Sequence, residues 1–452
     1  MRVTMLVRRP FAYLCVLAPP FVAMGCLSLA GVSDFRVDES VDAATREASV
    51  DAARPDTSTA DGSSDSGEAN DAPIDAPLDA PVDAPAISPG LSALLLPGTG
   101  VGVGESIPVT LTARNDTGDL VPRVGSRVTF TATGGTSVVT FGAVTDLGDG
   151  RYRANVTGVM EGTKLAISAM LDGVPLRTPP PSLRVANPIS AGLTFSVDAA
   201  NADGAGNFGG KNCPASGRTS WTSLSPGALA GTLVGFATPC ALGSGWNGTG
   251  TPEDPARLTF DGVDDHVSFG AVNSLAKYTV VVWARKTGAG TLGNSGTGGL
   301  PAIFPILSKG TAEAENPNID INYYLGIDEL GHFGSDYEQA VTSVNTPLTG
   351  TAVLRDDTWY MLASTLDATA GVRATSVNAT VDATLAPVAG PALGPSSLFV
   401  IGGSNRSNGV GVGRFKGDVA LVLTYDRVLS APELETTCHA YSARFGLHAC
   451  PN

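Results

Sequence analysis

The chain has 452 residues, of which only 16% are charged, and it contains 55 glycines and 31 prolines. Few charges with abundant Gly, Thr, Ser and Val exclude a helical bundle, whose surfaces carry Lys, Glu and Arg, and favour short strands joined by tight turns. The formal net charge is −15: residues 1–30 carry +3, residues 31–86 carry −11 (fourteen acids against three arginines), and −7 remains for residues 87–452. No basic stripe is present, so nucleic acid is excluded as a partner.

Met1–Arg9 is a basic segment, and Phe11–Gly25 is an apolar run interrupted by Pro19 and Pro20. That run is shorter than the roughly 20 residues of a bilayer span and reads as an export signal. It ends Ala23-Met24-Gly25-Cys26, which resembles a bacterial lipobox. The resemblance implies cleavage after residue 25, acylation of Cys26, and an exported lipoprotein of the outer membrane or cell surface. Contact with the membrane is then expected only through the N-terminal lipid.

Residues 26–87 are expected to form a stalk. They are rich in Asp, Ala, Ser and Pro, nearly lack aromatics, and close with four tetrapeptides from Asp71-Ala72-Pro73-Ile74 to Asp83-Ala84-Pro85-Ala86. Too little apolar surface is available there to offset ordering entropy, and proline at every fourth position blocks helix and sheet.

Residues 88–187 alternate. Ile107, Val109, Leu111 and Ala113 share one face, Asn115-Asp116-Thr117-Gly118 makes a turn, and Arg127–Thr131 and Val138–Phe141 follow. After a Gly148-Asp149-Gly150 turn, Tyr152, Ala154 and Val156 alternate again, then Leu165–Met170. Regularly spaced short strands predict a β-sandwich. Their order resembles the bacterial immunoglobulin-like repeats of the invasin and intimin adhesins, which implies a rigid spacer. A short stiff joint is expected near Asn187-Pro188.

Residues 188–452 suffice for one large sandwich. They contain Leu258-Thr259-Phe260-Asp261-Gly262-Val263-Asp264-Asp265-His266-Val267, Tyr278–Trp283, Ile306-Leu307-Ser308-Lys309-Gly310, Leu398–Gly403 and Tyr425–Leu434. This set resembles the laminin-G-like, concanavalin-type jelly roll of lectins and pentraxins. The fold class is therefore expected to be all-β, an immunoglobulin-like sandwich followed by a jelly roll. Val377-Asn378-Ala379 departs from the family's Val-Asn-Gly hairpin and predicts a different turn. Ser430 with Glu433 makes a capping box, and Leu434, Cys438, Tyr441 and Phe445 recur on one helical face.

After loss of the signal and acylation of Cys26, Cys213, Cys240, Cys438 and Cys450 remain. Three pairings are possible; the expected one is Cys213–Cys240 with Cys438–Cys450, each closing a local loop. No spacing of Cys or His suits a transition metal. The four tryptophans read as core, with Trp246 in Gly245-Trp246-Asn247-Gly248 the one placed for exposure.

No catalytic residues are assigned: paired carboxylates on alternate strand positions in the glucanase pattern are absent, as is a nucleophile elbow. The candidate binding residues are Asn318, Asp320, Asn322 and Tyr324, expected to project together from one strand face, with Asp336 and Glu338 alternating nearby. Oxygen-bearing groups beside an aromatic ring suit a sugar, and they also suit calcium. By resemblance to the pentraxins, calcium ligands fall on Asp320 and Asn322, with Ser404 and Asn405 opposite. Asp261, Asp264 and Asp265 are expected to serve as turn and cap residues. The expected partner is a glycan or a surface protein; a structural envelope protein without a ligand and a polysaccharide hydrolase are the alternatives. The sequence leaves oligomeric state open.

Overall fold

In the computed structural model the described residues are 86–122, 127–206, 219–236, 240–312, 320–406 and 412–451. The export signal, Cys26, most of the stalk, Cys213 and Asn318 lie outside them, and the side chain of Cys240 is likewise not described. Among the described residues no helix is long and apolar enough to cross a membrane.

Alternation builds the first sandwich. The strand Ser106–Thr112 buries Ile107, Val109 and Leu111, and pairs antiparallel with Arg151–Met160 in the register Ile107↔Val156, Val109↔Ala154, Leu111↔Tyr152. The apolar sets of the two strands thus fall on one face. Among the described residues two five-stranded sheets result, one containing Ser106–Thr112, Arg151–Met160 and Val138–Phe141, the other Ser182–Val185, Leu165–Leu171 and Val128–Thr133. They enclose a core of Val109, Leu111, Tyr152, Val156, Ile167 and Leu183.

Among the described residues, the second half is a larger sandwich of a nine-stranded and an eight-stranded sheet. At the centre of the nine-stranded sheet, Lys416–Tyr425 lies between Tyr278–Lys286 and Arg257–Asp261. The run Val280–Trp283 is apolar without a break because both faces of its sheet are covered. Val280 and Val282 enter the core between the sheets, while Val281 and Trp283 point outward beneath the C-terminal helix. That helix spans Ala431–Ser442. Glu433 accepts the backbone N–H of Ser430 at 2.8 Å, completing the expected box. Leu434, Cys438 and Phe445 seal the outer face, with Phe445 stacked on Trp283 at 4.5 Å. Each buried apolar side chain of this kind stabilises by about 1.5–3 kcal/mol. Cys438 and Cys450 form the expected disulfide.

The hairpin between Val372–Val377 and Thr380–Leu385 corrects one expectation. Asn378 and Ala379 have φ of 49° and 66°, so the two-residue left-handed turn that favours Asn-Gly is kept, with alanine in the glycine position. Asn378 holds it by accepting the Met361 N–H at 3.0 Å.

The same helix also meets the first sandwich. Gly100 lies so close that an added methyl would overlap the carbonyl oxygen of His439. Thr99 Oγ1 sits 3.1 Å from His439 Nδ1, and Arg184 reaches Glu435 at 2.7 Å and Thr436 at 3.2 Å. Ala443 joins the core cluster of the first sandwich. The joint itself is pinned by Asn187, which accepts the Val103 N–H at 3.1 Å and donates to Glu161 at 2.6 Å.

Candidate functional site

The strand expected to display the polar row begins only at Tyr323 and runs to Asp328. Alternation therefore fails just before it: Ile321 packs with Tyr324, while Tyr323 enters the main core. Tyr324 and Asp336 are direct cross-strand partners, so two members of the predicted set are neighbours. Their face is not open to solvent. The segment before Ile303 folds across it through the pairing of Gly293 with Ile303 and the packing of Leu300 on Tyr324.

Burial turns these residues into struts. Asn322 is fully buried; its Oδ1 accepts the Leu275 N–H at 2.8 Å, and its Nδ2 donates to the carbonyls of Leu275 and Ala392 at 2.8 and 2.7 Å. Glu338 accepts the N–H groups of Asp320 and Ile321, both at 2.8 Å. Asp336 accepts from Ser295 Oγ at 2.5 Å and from the N–H groups of Tyr337 and Thr346 at 2.8 Å. Burial pushes its carboxyl up to about 6, against the nearby Arg373. Arg373 is itself buried, bonded to the Thr346 carbonyl and to Ser335 Oγ, with its guanidinium 5.1 Å from the Tyr337 ring centre. The expectation of an exposed polar row is thus corrected for Asn322 and Tyr324, which an irregular approach to the strand and an overlying segment remove from solvent; Asn318 lies outside the described residues.

The expected calcium set divides. Asp320 is half-buried and accepts the Thr311 N–H at 2.8 Å; burial raises its carboxyl. Asn405 is the register partner of the same Thr311 in a short parallel pair, and Ser404 is buried with its Oγ accepting the Gly413 N–H at 3.0 Å. Asp320 and Asn405 therefore both adjoin Thr311, but the amide of Asn322 is spent on Leu275 and Ala392.

A different group of oxygens does converge. One carboxylate oxygen from each of Asp261, Asp264 and Asp265 lies within 4.8 Å of the others, in the turn between Arg257–Asp261 and His266–Ser268. Part of the expected turn role holds: Asp261 Oδ1 accepts the Val263 N–H at 2.8 Å. Asp265 is fully buried, with Oδ2 accepting the Asp261 N–H at 2.9 Å. Burial pushes its carboxyl up to about 6, and the charges of Asp261 and Asp264 add to the rise, opposed by the Ser244 hydroxyl. Three converging carboxylates fit a hard cation such as calcium. The sequence signal was the Asp-x-x-Asp-Asp spacing itself, which a tight turn folds onto one point.

Trp246 is core rather than exposed, packed edge-to-face on Trp221 at 5.4 Å between ring centres. The pairing Cys213–Cys240 falls outside the described side chains.

No curated protein matches the chain by sequence. In structure it is similar to the Ruminococcus gnavus IT-sialidase CBM40 bound to alpha2,3 sialyllactose (21% identity, 36% of this chain, 82% of that one, TM-score 0.29). It is also similar to domain 4 of AbnA, an extracellular arabinanase from Geobacillus stearothermophilus, in complex with arabinotriose (15% identity, 55% of this chain, 98% of that one, TM-score 0.34). A third likeness is to a mutant Trypanosoma rangeli sialidase (16% identity, 58% of this chain, 35% of that one, TM-score 0.37). At these TM-scores the likenesses carry no argument. The family model described as the concanavalin A-like lectin/glucanases superfamily matches residues 261–435, from the aspartate turn into the C-terminal helix.

Proposed function

We propose that this chain is a glycan-binding lipoprotein of the outer membrane or cell surface, without enzymatic activity. The observation that carries the reading is the match of residues 261–435 to the concanavalin A-like lectin/glucanases model. The chemistry at Asp336 and Glu338 argues against hydrolysis at this pair. Hydrolysis of a glycosidic bond takes two carboxyls that reach the sugar, whereas these two are buried and hold backbone N–H groups of their own fold. In this reading the stalk and the first sandwich hold the jelly roll away from the membrane, and Cys26 carries the lipid.

The aspartate turn favours a calcium-supported version. A divalent ion between Asp261, Asp264 and Asp265 would relieve their mutual repulsion and fix the turn that opens the matched segment.

The test is a glycan array probed with the full-length protein, in calcium and in EDTA. Retention on a defined subset of glycans is expected, stronger with calcium. Retention on none in either condition overturns the glycan reading, and equal retention in both overturns the calcium part. Fatty-acid labelling checks the anchor: label is expected on the wild type and absent from Cys26→Ser.

A further inference from the structure

Between the first sandwich and the jelly roll lies a cleft of about 450 Å³, within the size range of small-molecule sites. One wall carries Glu105, Ser106 and Pro108; the other carries Asp198, Tyr441 and Arg444. The spacing of the walls is set in advance. Gly100 presses on the His439 carbonyl, and Arg184 grips Glu435 beside the same helix. A ligand entering the cleft therefore meets a preorganised site and is spared the cost of closing two domains around itself.

The charges are arranged unevenly. Arg444 is committed as a fork to Asp198, with contacts of 2.7 and 2.8 Å, so its charge is neutralised within the cleft. Glu105, on the opposite wall, is exposed, and the cleft as a whole is left negative. Burial, with the charges of Asp198 and Glu105, holds the Tyr441 phenol above its ordinary range, so it remains a hydroxyl at neutral pH. Together the walls offer a carboxylate that accepts from hydroxyls, a phenol that donates, and the apolar surface of Pro108. That combination suits a polyol with a C–H face and repels an anion.

We propose that this cleft is the glycan site, and that it takes an uncharged mono- or disaccharide end in preference to sialic or uronic acids. The proposal rests on the glycan-binding reading and adds to it the place of binding and the sugar class. Glu105 accepts from two sugar hydroxyls, and Tyr441 and Pro108 contact the ring.

The experiment is calorimetric titration of the full-length protein with lactose, maltose and cellobiose, against 3′-sialyllactose and digalacturonic acid. At least one neutral disaccharide is expected to bind and both acidic sugars to bind more weakly. Glu105→Ala, at an exposed position, is expected to weaken the neutral sugar tenfold or more, about 1.4 kcal/mol, with an unchanged melting curve. Gly100→Ala, which wedges the walls apart, is expected to weaken it as well. Binding that ignores both variants, preference for an acidic sugar, or no binding by any of the five overturns the cleft. Array retention that survives Glu105→Ala unchanged leaves glycan binding standing and removes this site alone.

Discussion

The guanidinium of Arg184, in the first sandwich, meets the carboxylate of Glu435, on the C-terminal helix, at 2.7 Å. Both side chains are partly exposed, at 22% and 28%. A pair of that kind contributes no more than about 1 kcal/mol. The domain contact is carried instead by shape, through the backbone approach at Gly100. Gly100→Val is therefore expected to cost about 1–3 kcal/mol by overpacking, whereas Arg184→Ala costs less than about 1 kcal/mol. Denaturant unfolding of the two variants checks this; equal costs would show that the ion pair, not the fit, joins the domains.

The disulfide Cys438–Cys450 ties the chain end back to the helix, where the Pro451 carbonyl lies 2.8 Å from His439 Nε2. Closing a loop of this length stabilises by about 3 kcal/mol in the chain-entropy account. Replacing both cysteines by serine should lower unfolding stability by roughly 2–3 kcal/mol, and added reductant should lower the wild type by more than it lowers the variant. A variant as stable as wild type would mean that the helix is held by packing alone.

Asp336 gives a pH signature. Its carboxyl is raised from 3.8 to about 6 in the fold, so the folded state binds this proton more tightly than the unfolded one. Its contribution is most favourable below the unfolded value and is lost as pH rises through about 6. The loss amounts to about 3 kcal/mol, two pKa units at 1.36 kcal/mol each. The stability difference between wild type and Asp336→Asn should therefore shift against the wild type between pH 4 and 6. A difference that stays flat over that range would contradict the burial account of this carboxyl.

At the hairpin turn, Ala379 occupies a left-handed conformation that costs a non-glycine residue roughly 1–2 kcal/mol. Part of that strain is offset by the packing of its methyl group in the outer cluster. Ala379→Gly should stabilise the protein by about 0.5–1 kcal/mol, measured as a rise in denaturation midpoint. Destabilisation would mean that the methyl contact outweighs the backbone strain.

Much of the architecture was legible because its signals are local. Ile107, Val109 and Leu111 alternate, Ser430 and Glu433 cap a helix, and Cys438 and Cys450 sit on one short loop; each needs only neighbouring residues to be understood. The candidate row was not legible for the opposite reason. Whether Tyr324 faces solvent depends on Gly293 and Leu300, about thirty residues earlier in the chain, and nothing in the spacing of 318–324 announces that cover. The aspartate turn was read as turn chemistry, which Asp261 performs, but convergence of all three carboxylates depends on the burial of Asp265. The cleft was invisible because its walls come from segments far apart in the chain, around Glu105, Asp198 and Tyr441.

A crystal structure of the full-length protein with a neutral disaccharide is the most direct measurement of where, and whether, this chain holds a sugar. Sugar density between Glu105 and Tyr441, with a hydroxyl within hydrogen-bond distance of the Glu105 carboxylate, is the predicted result. Density on another face, or an empty cleft at saturating sugar, would contradict it.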